Sequence, residues 1–171
     1  MNFKKILVAV DASDNAMRAV EYTGEIMCVL SCGNPDSVKE FHITLLSVER
    51  LPDRDVFPDD ASWQAACVKN KDDVLEFLER ARQRLLGKCL PEDILETRYL
   101  VSPRSPAAEG QFQRSLGGTA TQEILHVLKE EDYGTVVVGR RGVSKDEEFL
   151  FGSVSSKIMR KAQGCTIWVV N

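Results

Sequence analysis

The stretch VVVGRRGVSKDEEFLFGSVSSKI, Val136 to Ile158, decides how the rest of the chain is read. It begins with a β-branched triplet and passes Gly139 and Gly142. Nine residues then separate Gly142 from Gly152, and Ser153 follows at once. A strand-like run, a glycine-bearing connection and a helix-like run in this order suggest one segment of a β-α-β fold. The glycines themselves admit two readings. As turn punctuation, Gly139 ends a strand and Gly152-Ser153 caps a helix. As a phosphate cradle, Gly139 and Gly142 let backbone approach a ligand and adopt positive φ. In that case the N–H groups at the helix start favour an anion. Ser153 adds a donor, and Arg140 and Arg141 add charge. The spacing is neither GxxxxGK[ST] nor the close GxGxxG fingerprint. The acidic Asp146-Glu147-Glu148 inside the stretch counts against anion affinity unless those carboxylates face solvent or a metal.

Outward from this stretch, apolar runs alternate with helical patterns. Lys4–Val10, KKILVAV, reads as a buried parallel strand ending at Asp11. The spacing of Ala16, Ala19, Val20, Thr23, Ile26, Met27 and Leu30 predicts a helix over 13–30, capped by Ser13 or Asp14. A second strand is expected over Phe41–Val48, and a polar, proline-bearing loop after it. A long helix is expected over 61–86, with Val74, Phe77, Leu78, Ala81 and Leu85 inward. A third strand follows at Glu96–Val101. Ser102 to Gly118, rich in proline and glycine, reads as a long loop insertion, of the kind that is usually functional or mobile. Then come a helix over 119–131, a strand at Thr135–Val138, a helix over 152–162 and a last strand at Cys165–Val170. The order is β-α-β-α-β-α-β-α-β, which predicts a parallel sheet covered on both faces in a single domain spanning 1–171.

In such a sheet, ligands bind beyond the carboxyl ends of the strands, where the strand order reverses. Asp11, Val48 and Gly139 fall at such ends. One ligand can touch all three only if strands one and four are neighbours.

The chain has 171 residues and a net charge of −4, which offers no global attraction to nucleic acid or to an anionic membrane. No apolar run approaches the roughly 20 residues of a membrane span. Lys4 and Lys5 lead straight into a strand, without the h-region of a signal peptide, so the expected compartment is the cytoplasm. The five cysteines form no C-x-x-C pair, and His42 and His126 are remote from other ligand candidates, so a structural metal site is not expected. Neither histidine is placed to activate Ser13, Ser102, Ser153 or Ser155, so nucleophilic catalysis has little support. Asp11 can serve ribose or metal, or simply the first turn of the following helix.

The residues KKILVAVDAS, ITLLSV, VVVGRRG with nine residues before GSVSSKI, and the closing CTIWVV resemble the universal stress protein family over nearly the whole chain. The most specific element is G-x-x-G-x9-G-[S/T], the pattern of its nucleotide-binding members. The resemblance implies an α/β, doubly wound, five-stranded parallel sheet in the order 3-2-1-4-5 with helices on both faces, of the adenine nucleotide alpha hydrolase-like type. It implies a site for ATP, or for AMP or ADP, with Mg or Mn. Ala9 and Asp11 would line the adenosine end, and Val48 would meet adenine through its backbone. Val138 would line the pocket. Gly139, Gly142, Gly152 and Ser153 would hold phosphate and ribose beside Val154 and Ser155, and Arg140 to Lys145 would form the phosphate loop. Arg140-Arg141 departs from the small-polar-then-basic pair usual after the first glycine, and the 102–118 segment is longer than usual. The resemblance also implies a homodimer through Cys165–Val170, an uncharged run that would be a hazard at an uncovered sheet edge.

The expected role is an ATP-binding, nucleotide-dependent switch or sensor in stress response. The alternatives are a dimeric interaction module with a vestigial site, and a slow ATPase. Whether the chain is half of a tandem protein stays open.

Overall fold

The computed structural model describes residues 2–32, 36–88, 90–106, 112–141 and 151–171. In chain order the elements are β1 (Asn2–Ala9), α1 (Asp14–Cys32), β2 (His42–Val48), α2 (Asp60–Leu86), β3 (Leu95–Val101), β4 (Gln113–Arg114), α3 (Ala120–Glu130), β5 (Tyr133–Gly139), α4 (Ser153–Lys161) and β6 (Thr166–Val170). All strands pair in parallel, in the order β4-β3-β2-β1-β5-β6. The five expected strands are therefore present in the expected order. The sixth, β4, comes from the segment read as a loop. It adds two residues beside Leu100 and Val101 at the sheet edge.

The strands are apolar because both of their faces are covered. Ile6, Val8, Ile43, Leu45, Val101 and Val137 face α1 and α2. Leu7, Leu46, Leu100, Val136 and Val138 face α3 and α4. Alternation along each strand thus feeds two cores from one sheet. The inward stripe of α2 is as expected: Val74, Phe77, Leu78, Ala81 and Leu85 are all buried. On α1 the stripe ends earlier than expected. Met27 is fully buried, but Leu30 is half exposed near the end of the helix. No described helix is long and apolar enough to cross a membrane.

At the N-terminal ends of the strands the polar side chains satisfy one another. Arg98 Nη1 donates to both carboxylate oxygens of Glu131, each at 2.7 Å. Thr44 and Tyr133 share a hydroxyl–hydroxyl bond of 2.7 Å, and the Lys5 ammonium donates to the Glu131 carbonyl. Burial pushes the Tyr133 hydroxyl above its usual pKa. The C-terminal ends of the strands present a different picture.

Candidate functional site

β1 and β5 lie side by side, while the chain winds outward from them in both directions. The strand ends therefore part at this point and leave a crevice. It is lined by Ala9, Val10 and Asp11 from β1, Leu46, Val48 and Arg50 from β2, and Val138, Gly139 and Arg141 from β5. Ala120 and Ile124 of α3 form one wall, and Gly152, Ser153, Val154 and Ser155 at the start of α4 form another. Its volume, as space open to the centre of a water molecule, is about 110 Å³.

The turn after β1 is tightly organised. Asp11 Oδ1 accepts hydrogen bonds from the Ser13 hydroxyl at 2.6 Å and the Ser13 N–H at 3.3 Å. Ser13 Oγ in turn accepts from the Ala16 N–H at 3.1 Å, which makes Ser13 the cap of α1. Between them, Ala12 has φ of 61°. A side chain in the left-handed region is strained, and such residues cluster at functional turns.

Gly139 does something other than the sequence suggests. It is not among the residues with positive φ. A Cβ at this position would meet the Asn15 carbonyl carbon at 2.8 Å and its oxygen at 2.9 Å. The missing side chain lets the first turn of α1 press against the end of β5. Gly139 still borders the cleft, but helix–strand approach already requires a glycine there.

Beyond β5 the chain closes a narrow neck. The Gly152 N–H donates to the Arg140 carbonyl at 2.8 Å, and the Ser155 hydroxyl donates to the same carbonyl at 2.8 Å and to the Gly152 carbonyl at 3.1 Å. The Arg140 N–H bonds to the Val170 carbonyl at 2.6 Å. Ser155 is therefore a buried staple whose hydroxyl proton is already committed. Arg140 anchors the neck and is not among the residues that line the cleft. Gly142 and the segment 142–150 lie outside the described residues, so the expected role of Gly142 has no structural counterpart here.

Gly152 is the N-cap of α4. It supplies no side-chain cap, and the first turn contains no acidic residue. The cleft thus receives the positive end of a helix that carries no side-chain cap among the described residues. The Nε groups of Arg140 and Arg141 are buried and lack a partner among the described residues. Arg50 and Arg141 are the cations that line the cleft, and Asp11 is its carboxylate.

Of the residues expected at the site, the structure gathers all but Arg140 and Gly142 around one cleft. Five more line it: Val10, Leu46, Arg50, Ala120 and Ile124. Leu46 was accessible to reasoning, since it sits two residues before Val48 on the same face of β2. Arg50 lies in a stretch read only as a polar loop.

The 102–118 segment is tied to this end of the sheet. The Glu49 carboxylate accepts from the Ser102 N–H at 2.8 Å and the Ser105 hydroxyl at 2.7 Å. Burial, together with the Glu49 charge, pushes the Tyr99 hydroxyl well above its usual range. At the far end of the segment, the buried Glu123 carboxylate accepts from the Leu116 and Gly118 N–H groups at 3.0 and 2.9 Å. Among the described residues, no group of three or more His, Cys, Asp or Glu side chains gathers as a metal site.

The model of the universal stress protein family matches residues 2–171. The universal stress protein YxiE of Bacillus subtilis is 26% identical over 175 residues, covering 98% of this chain and 99% of its own. Among solved structures, universal stress protein UspA from Lactobacillus plantarum superposes with a TM-score of 0.66 at 18% identity, over 100% of this chain and 99% of the other. A universal stress protein from Archaeoglobus fulgidus, in complex with dAMP, gives a TM-score of 0.58 at 17% identity, with both chains covered in full. At these identities the structural likeness establishes the fold.

Proposed function

Because the chain belongs to the universal stress protein family, we propose that it binds an adenine nucleotide in the cleft between β1, β2, β5 and α4. The single observation that carries this reading is the start of α4. An N-terminus with no side-chain cap among the described residues and no acidic residue in its first turn opens on the same cleft as the ends of β1 and β5. That arrangement suits a phosphate group. The dAMP bound by the Archaeoglobus fulgidus protein supports the class of ligand.

In this reading Gly152, Ser153 and Val154 receive phosphate, with Arg141 beside them. The base and ribose lie toward Ala9, Asp11 and Val48, against Leu46 and Ile124. The ligand is ATP, or AMP or ADP in its place. A divalent metal, Mg or Mn, would be carried largely by the phosphates and water, because Asp11 is the only carboxylate lining the described cleft. When bound, it would neutralise phosphate charge. No histidine, lysine or glutamate lines the cleft among the described residues. Slow turnover follows, and with it the role of a nucleotide-dependent switch or sensor in the stress response, in the cytoplasm.

Titration calorimetry with ATP, ADP and AMP, with and without magnesium, tests the reading. Saturable binding of at least one of them is expected. No saturable binding under any of these conditions overturns it.

A homodimer through β6 belongs to the same proposal. Among the described residues this strand pairs only with β5, which leaves it at the sheet edge, and its sequence TIWVV carries no charge. An edge of this kind calls for a partner strand. Light scattering at micromolar concentration should return twice the chain mass, and a persistent monomer refutes it.

A further inference from the structure

We infer that the ligand of this cleft carries a second anionic group at its adenosine end, received by Arg50, and so is a ribose-phosphorylated adenine nucleotide. The inference rests on the adenine-nucleotide reading above and replaces its ATP, ADP or AMP with a nucleotide that also carries a ribose phosphate.

Arg50 lies two residues beyond Val48, at the end of the cleft built by β2. Its backbone is held in place: the Asn70 side-chain amide donates to the Arg50 carbonyl at 3.1 Å. The neighbouring acid does not neutralise it. Both Glu49 oxygens are taken by the Ser102 N–H and the Ser105 hydroxyl.

Three other arginines are paired with acids. Arg54 meets Asp60 at 2.5 Å, Arg98 meets Glu131 at 2.7 Å, and Arg82 meets Glu92. Arg50 is an exposed residue that lines the cleft, and its guanidinium has no hydrogen-bond or ion-pair partner among the described residues.

Arg141 occupies the opposite end, beside Gly139 and the start of α4, and its buried Nε is without a partner among the described residues. The cleft thus places one arginine at each end, and its carboxylate, Asp11, is engaged with Ser13. A nucleotide with phosphate on the 5′ side alone matches the α4 end and leaves Arg50 facing sugar and base. A phosphate on the ribose 2′ or 3′ oxygen answers it, because the planar guanidinium fork fits phosphate in two-pronged geometry.

Calorimetric titration of wild type, Arg50→Gln and Arg50→Lys with AMP, adenosine 2′,5′-bisphosphate and adenosine 3′,5′-bisphosphate tests this. Wild type is expected to prefer at least one bisphosphate over AMP by about tenfold, equivalent to about 1.4 kcal/mol. In Arg50→Gln that ratio should collapse to about one, and Arg50→Lys should restore part of it. Circular dichroism confirms that each variant is folded.

A wild-type ratio near one, with AMP still binding, overturns this inference and leaves the nucleotide reading standing. So does a ratio that survives Arg50→Gln, or an equal weakening of all three ligands, which would place Arg50 on the base or the shared phosphate. Failure of all three to bind overturns the nucleotide reading and this inference with it.

Discussion

Two helices begin at the same cleft and treat their first turns in opposite ways. At α3, Thr119 and Gln122 form a reciprocal cap, with the Thr119 N–H donating to Gln122 Oε1 at 2.8 Å. The buried Glu123 carboxylate then holds Leu116 and Gly118 just upstream. The polar capacity of that helix start is used up by the chain itself, and what α3 offers the cleft is the apolar pair Ala120 and Ile124. At α4 the cap is a glycine, and among the described residues no side chain caps the first turn, which itself contains no acid. The same backbone electrostatics is therefore spent on structure at one helix and left available at the other. A helix N-terminus becomes a binding element only when the sequence withholds the cap.

The strongest test asks whether the glycine preceding α4's loop belongs to the scaffold. Gly139→Ala puts a methyl group 2.8 Å from the Asn15 carbonyl carbon, and backbone cannot swing aside. Stability should fall by about 2–3 kcal/mol in urea denaturation, as overpacking does. A loss below about 0.5 kcal/mol would show that the start of α1 shifts freely.

Next in size is Glu123→Gln. The amide keeps one acceptor, while its NH2 group confronts an N–H of Leu116 or Gly118. Loss of a buried charge-assisted bond should lower stability by about 1.5–3 kcal/mol, and hydrogen exchange at those two amides should speed up. Unchanged exchange would show that α3 does not depend on this anchor.

Ser153→Asp then makes α4 resemble α3. A carboxylate in the first turn complements the helix dipole and should raise stability by a few tenths of a kcal/mol. It competes with phosphate, so nucleotide affinity should drop about tenfold, or about 1.4 kcal/mol. Undiminished affinity would break the comparison outright.

Thr119→Ala, the smallest effect, strips the cap from α3 at a cost of about 1 kcal/mol in thermal or chemical denaturation. Nucleotide affinity should move much less than in Ser153→Asp. An equal drop would mean that α3's start also serves the ligand.

Most of the architecture was legible because buried parallel strands and amphipathic helices write clear periods. KKILVAV, FHITLLSV and the valine triplet at 136–138 each announced a strand. β4 was not legible, since two exposed residues, Gln113 and Arg114, make no pattern. At the site, Asp11, Val48 and Gly152 could be placed because they fall at element boundaries. Arg50 could not, because nothing local distinguishes a loop arginine facing a cleft from one facing water. Gly139 shows a different limit. The sequence singles it out for a turn or a ligand, but the contact that demands a glycine is with Asn15, far away in sequence, and no spacing rule reports such a neighbour.

The neck at Arg140 and Gly152 has a consequence for how such proteins diversify. Among the described residues it is closed by backbone groups and one serine hydroxyl, bonds that join Arg140 directly to Gly152 and Ser155 across the span between them. Doubling the number of residues in that span would add only about 0.6 kcal/mol of closure entropy. The span can therefore lengthen, shorten or change charge while sheet order and the α4 start remain fixed. Length and fold are thereby decoupled at this point of the chain.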